Sequence, residues 1–341
     1  MCLVTIVTRF YNEYELKRLM YCCDEDSREQ VIREKLPIPV TNQNEVVALM
    51  KPVEFEIFNW FTDHRGIFTV EQEWALQFCW DLDGTINRTK TADSIIHSDC
   101  LDEKTRLVLA CQYLPCRNAI SFFNDLHLST RMLFLEEYLM ENGNRNIHEK
   151  NVEKLIRKRI SRPFLWTSVS LQSGLLDNKP TEYRESLLEY VFEDTHEVHI
   201  ARFCLSRLSA DQREALFILH PLKILRIYLL RPYQKLFLDM ANRVCHHLSG
   251  NQFHYLLHII ICQKIVARWN DFDYVNLLRQ FWQNSIDYLK EIVDGTEIFE
   301  IMKEILNNRF PANKVPRYFL LHEMDVYENA NACKEMTSTL W

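Results

Sequence analysis

His254, His258 and Cys262 repeat every four residues near the middle of the C-terminal half of a 341-residue chain. On an α-helix that interval places all three on one face, and two imidazole nitrogens with a thiolate form a donor set for Zn²⁺. Cys245, His246 and His247 lie just upstream. Between the three candidates stand Leu256, Leu257, Ile259, Ile260 and Ile261, with no ligating acid nearby. The expectation is a packed, hydrogen-bonded histidine face with no resident metal or other cofactor, and a zinc site at His254, His258 and Cys262 is the alternative. His196-Glu197-Val198-His199 is one residue short of the metalloprotease spacing, so it reads as a solvated polar face. Cys111 and Cys116, five apart around Pro115, have neither zinc nor redox spacing and read as core thiols. The basic residues Lys154, Arg157, Lys158, Arg159 and Arg162 form a run suited to anionic lipid, RNA or nuclear import. Glu149 and Glu153 precede them, and Glu153 reaches Arg157 at i,i+4, so the run reads as a partly paired, solvated face.

A second candidate is Asp81-Leu82-Asp83-Gly84-Thr85. This Asp-x-Asp-Gly-Thr segment resembles the nucleophile motif of haloacid dehalogenase-type phosphatases. The resemblance implies attack on phosphorus by Asp81, general acid/base work by Asp83, and Mg²⁺ held by both. It further implies Thr167 as the phosphate-binding hydroxyl, Lys179 as the lysine and Asp194, beside Glu193, as a metal-binding acid. The residues themselves argue otherwise. Such a nucleophile ends a buried parallel strand, yet the preceding EQEWALQF is polar and helix-prone. Twelve residues from Thr167 to Lys179 and fifteen from Lys179 to Asp194 barely hold the crossovers that a parallel sheet requires. Asp83-Gly84 is therefore expected to turn the chain between helices, with Thr85 capping the helix that follows.

The elements that must position these residues are expected to be helices. Six glycines leave little material for tight hairpins or phosphate loops, and 47% hydrophobic with 26% charged residues is a folded composition. Helical periodicity runs through 10–34, 69–80, 88–97, 103–113, 117–141, 149–160, 181–206, 251–268, 272–292 and 296–308, with short helices over 213–244 punctuated at Pro221 and Pro232. Strand-like alternation is confined to 3–8 and 164–171. A net charge of −7 offers no uniform field to a phosphate backbone, so nucleic acid is not the expected partner. The apolar windows are too short to span a membrane, no secretory leader pattern opens the chain, and eleven irregularly spaced cysteines fit reduced thiols. The expected compartment is the cytoplasm or nucleus.

Helix starts share a grammar: Phe68-Thr69-x-x-Gln72, Leu208-Ser209-x-x-Gln212 and Leu248-Ser249-x-x-Gln252 each place an apolar residue before a capping box, and Leu101-Asp102 is a looser example. Intervals of 33, 40 and 107 residues between these starts correspond to helix-pair repeats of about 36 residues. Leu101…Arg106…Leu109 is echoed by Leu208…Arg213…Leu216. The stretch 74–126, with CWDLDGTINRTKTADSII and TRLVLACQYLPCRNAISFF, resembles the degenerate ankyrin-like helical repeats of large families of uncharacterised animal proteins, in which Trp, Asp-Gly and an Arg-x-x-Leu-Ala-Cys helix recur. That resemblance covers about 50 residues, lacks Thr-Pro-Leu-His and carries no activity. The expected fold is all-α, an irregular, degenerate ankyrin-like or HEAT-like α-solenoid of stacked helix pairs. Its expected parts are an N-terminal helical segment over 1–60, a repeat array over 61–310 and a capping segment or tail over 311–341. The expected function is non-catalytic binding of a protein partner, with the Mg²⁺-dependent phosphatase as the alternative.

Overall fold

A computed structural model describes residues 30, 33–34, 39–139, 144–157 and 165–307. Among the described residues there are 17 α-helices and no strand beyond an isolated bridge between Trp80 and Ile86, so the chain is all-α. No described helix is long and apolar enough to cross a membrane. The chain divides into two compact units, up to Ser209 and from Ala210. The expected boundary at 60–61 falls inside one continuous helix, and the expected array over 61–310 is divided after Ser209. The strand expected at 3–8 and the tail at 311–341 lie outside the described residues.

The first unit comprises α1 (Val40–Asp63), α2 (Val70–Ala75), α3 (Arg88–Ile96), α4 (Glu103–Tyr113), α5 (Cys116–Asp125), α6 (Leu128–Leu139), α7 (Ile147–Ile156), α8 (Ser168–Leu171), α9 (Thr181–Asp194) and α10 (Val198–Arg207). Its hub is α4, which packs against α3, α5, α7 and α8. From Thr105 to Tyr113 every residue except Arg106 is buried, as befits a helix without a polar face. Arg106 covers one end by donating from Nε to the Ile96 carbonyl at 2.7 Å. The windows 117–141 and 181–206 each resolve into two helices, breaking at Leu126-His127 and at 195–197. α1 lies outside the expected windows and contains Pro52, whose missing N–H removes one ladder bond without ending the helix. Of the alternation expected over 164–171, the described residues 165–171 form no strand: Ser168–Leu171 forms a helical turn, and Ser170 is buried because it completes a capping box with Thr167.

In the second unit, α11 (Ala210–Leu219), α12 (Pro221–Tyr228) and α13 (Phe237–Val244) lead to α14 (Gly250–His258), followed by α15 (Tyr274–Asn284), α16 (Asp287–Val293) and α17 (Glu297–Leu306). α14 packs against α12, α16 and α17 and runs on as a π-helix over Ile259–Val266. Gly250 opens α14 hard against α16: a Cβ there would stand 2.5 Å from Ile292 Cδ1.

Helix starts are where sequence and structure agree most closely. Thr69 and Ser249 form reciprocal boxes with Gln72 and Gln252, and Asp102 accepts from the Thr105 amide at 2.9 Å. Asn146 makes a further box with Glu149 at the start of α7, and its Nδ2 also donates to the Gly66 carbonyl at 3.0 Å, tying α7 to the turn after α1. Losing both roles in Asn146→Ala is expected to cost about 1–2 kcal/mol in urea denaturation. Lys150→Ala, an exposed change on the same helix, is the control, expected to stay within about 0.5 kcal/mol of wild type. Equal effects for the two would contradict the tether.

Candidate functional site

The most chemically built region of the first unit surrounds Asp63 at the end of α1. His199 Nε2 donates to both carboxylate oxygens at 3.1 and 3.0 Å, Gln172 Nε2 donates to Oδ2 at 3.1 Å, and Arg88 Nη1 lies 2.7 Å from Oδ2. The Arg88 nitrogen is near enough for an ion pair but is not aimed for a hydrogen bond. Burial alone would raise the Asp63 pKa; the His199 hydrogen bond, then the Arg88 charge, outweigh it and hold the carboxyl below its ordinary value. A second pair extends the register, since Arg202 Nη2 donates to Glu56 Oε1 at 2.7 Å. Glu56 and Asp63 are seven apart on α1, and His199 and Arg202 are three apart on α10, so each pair shares a helical face.

Beside this cluster His64 stacks on Trp60, centroids 3.8 Å apart and 19° from parallel, and lies nearly parallel to Tyr113. Its Nδ1 is 2.6 Å from the Trp60 carbonyl, which only accepts, so Nδ1 carries the proton. Nε2, 3.0 Å from the Tyr113 hydroxyl, is then the acceptor. Burial, reinforced by the Arg88 charge, pushes the His64 pKa down to about 3 and keeps the ring neutral. Burial likewise lowers His148. Gln112 continues the polar layer: its Oε1 accepts from Thr167 Oγ1 at 2.9 Å and its Nε2 donates to the His148 carbonyl at 3.3 Å. The cluster is a neutralised charge sealed in protein, able to fix helices in register.

The residues of the phosphatase resemblance lie apart in role. Asp81 and Asp83 sit exposed in a turn between α2 and α3 whose Gly84 has φ 90°. Asp81 accepts from Asn87 Nδ2 at 3.0 Å, and Asp83 Oδ1 accepts from both the amide and the hydroxyl of Thr85. Thr85 therefore does not cap α3; Asn87 does, accepting from the Lys90 amide. Thr167 is a buried cap, Lys179 is exposed beyond a 3-10 turn, and Asp194 is exposed at the end of α9. Among the described residues no hydrogen bond or ion pair joins Asp81 or Asp83 to Thr167, Lys179 or Asp194.

The zinc spacing presupposed an α-helix throughout, but the helix runs on as a π-helix from Ile259, so Cys262 lies in a stretch of different geometry from His254 and His258. No group of three His, Cys, Asp or Glu among the described residues is placed to share a metal ion. His199, read as part of a solvated face, is instead buried on Asp63. Lys154 and Arg157 are the described members of the basic run. Arg157 pairs with Glu153 at 2.8 Å as the spacing predicts, and its Nε and Nη2 donate to the Tyr138 and Leu139 carbonyls.

Those two bonds close the end of α6, which has a different surface from its neighbours. Arg145 Nη2 donates to the Glu137 carbonyl at 2.8 Å, and Glu153 holds Arg145 and Arg157 together. Phe134 and Tyr138 bury the inner face. On the outer side Leu128, Met132, Leu133 and Leu139 are between 51% and 64% exposed. At ~100° per residue Leu128, Met132, Leu139 and the half-buried Leu135 fall within an arc of about 60°, a stripe about 16 Å long. The chain matches no protein-family model, and no curated protein or solved structure matches it significantly.

Sequence reasoning missed Asp63, Arg88 and the outer face of α6. Arg88 carries no sequence signal beyond its place near a helix start, and the 117–141 periodicity did not distinguish apolar residues turned inward from those turned outward. His199 and Arg202 three apart on α10, set against Glu56 and Asp63 on α1, were the available signal.

His64 makes stability depend on pH. Unfolded, its ring takes up a proton below about pH 6.5, whereas the folded ring stays neutral down to about 3. Stability is complete above about pH 6.5 and falls as the pH drops toward 3, by at most about 1.4 kcal/mol per unit from this residue. Asp63 acts in the same direction at lower pH: its contribution is present above the ordinary carboxylate value and is lost as the pH falls through its lowered folded value. Urea denaturation from about pH 7 down to about pH 4 is expected to give a shallower slope of stability against pH for His64→Gln than for wild type. Identical slopes would mean that His64 is not held neutral.

Proposed function

We propose that the chain is a non-catalytic helical-repeat scaffold, of the degenerate ankyrin-like kind its 74–126 segment resembles, that binds a protein partner in the cytoplasm or nucleus. The observation that carries the reading is the outer face of α6. Leu128, Met132, Leu133 and Leu139 stand exposed on a helix whose inner face is packed by Phe134 and Tyr138 and whose last carbonyls are tied by Arg145 and Arg157. An apolar helix face held rigid before binding loses little conformational freedom on association, and Leu128, Met132, Leu135 and Leu139 at i, i+4, i+7 and i+11 suit helix-in-groove recognition. Covering the four exposed side chains would contribute roughly 10 kcal/mol at about 25 cal/mol per Å², before the costs of association are subtracted. The neutralised Asp63 cluster, with neither carboxylate oxygen left without a donor, supports a structural role for the polar interior over a catalytic one.

The double variant Met132→Asp/Leu133→Asp should keep a melting temperature within a few degrees of wild type, since both side chains are largely exposed. In quantitative affinity capture from cells that express the chain, at least one protein is expected to be depleted about tenfold on the variant. A set of bound proteins that the variant leaves unchanged, a second copy of the chain counted among them, would refute the α6 reading. Phosphomonoester hydrolysis lost in Asp81→Asn would overturn the non-catalytic one.

A further inference from the structure

The α6 stripe has the spacing of a coiled-coil seam. Leu128 to Met132 is four residues, Met132 to Leu135 three and Leu135 to Leu139 four, which is the d-a-d-a pattern of a heptad. In that register Arg131 occupies g and Glu136 occupies e, the positions that flank the seam and meet across a helix pair. Arg131 and Glu136 are five residues apart, the offset between a g residue and the e residue that it meets on a parallel partner. Their charges are opposite.

The same two side chains have no partner among the described residues. Among the described residues neither Arg131 nor Glu136 makes a side-chain hydrogen bond or an ion pair, and Arg131 Nε is buried without an acceptor. Their neighbours on α6 are committed: Glu137 lies 2.6 Å from Lys104, and the last carbonyls are taken by Arg145 and Arg157. We infer that the partner of the α6 face is a second copy of this chain, docked as a parallel two-fold helix pair with Leu128, Met132, Leu135 and Leu139 against their counterparts and Arg131 against Glu136 of the other copy, twice. An antiparallel pair would set Arg131 against Arg131 and Glu136 against Glu136, so charge selects the parallel arrangement. The seam is shorter than two heptads and buries less than the roughly 800 Å² per partner of a standard interface. The dimer is accordingly weak, with a dissociation constant of about 10–100 µM.

This inference rests on the protein-binding reading of α6 and fails separately from it. Sedimentation equilibrium of the full chain from about 1 to 300 µM should show reversible dimerisation. Arg131→Glu and Glu136→Arg should each weaken it about tenfold, because each places like charges together twice. The double swap Arg131→Glu/Glu136→Arg should restore it, and an equimolar mixture of the two single variants should form a heterodimer tighter than either homodimer. All three variants change charge on α6, and thermal melts matching wild type establish that they are folded. A wild type that remains monomeric at about 300 µM, or single variants that dimerise as well as wild type, overturns the self-association. In that event a benzophenone side chain at position 132 that cross-links to a different protein in cells keeps the docking reading of α6, and one that cross-links to nothing removes both.

Discussion

A single buried carboxylate sets the terms on which the first unit folds. Moving Asp63 out of water costs several kcal/mol unless charge and hydrogen bonds meet it inside. They come from Arg88 at the start of α3, His199 on α10 and Gln172 just after α8. These groups lie 25, 136 and 109 residues from Asp63 in sequence. No subset of these helices satisfies it, so the carboxylate penalises arrangements in which one helix has slid or failed to dock. Such a cluster adds little net stability over an apolar equivalent, but it discriminates between packings that apolar contacts alone would leave nearly equal in energy.

α4 supplies the complementary constraint. Its leucines, valine, alanine and cysteine contribute undirected burial, while Gln112 and Tyr113 at its end turn toward the polar layer and bond Thr167, the His148 backbone and His64. Apolar packing brings α3, α5, α7 and α8 to the hub, and the polar end fixes how far along it α7 and α8 sit. Neutral His64, stacked on Trp60, joins the two regions without introducing another charge.

What the sequence made legible was local. The Thr69, Ser249 and Asp102 caps, the Glu153–Arg157 pair and the burial of Leu101, Leu109, Leu208 and Leu216 all follow from rules acting over a few residues. The Arg echo did not share one fate: Arg106 bonds the Ile96 carbonyl, whereas Arg213 is exposed. Alternation misled at 165–171, where a buried serine served a cap, and the helix expected over 251–268 continues as a π-helix at 259–266. Pro52 hid nothing physically unusual, since one lost hydrogen bond is tolerable in a 24-residue helix. The Asp63 cluster and the outer face of α6 escaped because both depend on which helices meet, and that is settled by contacts between residues far apart in sequence.

The contrast between α4 and α6 has an evolutionary consequence. Residues of α4 touch neighbours on all sides, so packing alone holds them, and their variation must be coordinated with α3, α5, α7 and α8. The exposed residues of α6 at 128, 132 and 139 are not held by core packing among the described residues, and drift would exchange them for polar ones. Persistence of apolar residues at 128, 132 and 139 across related chains, together with paired reversal of charge at 131 and 136, would therefore record selection for contact rather than for folding.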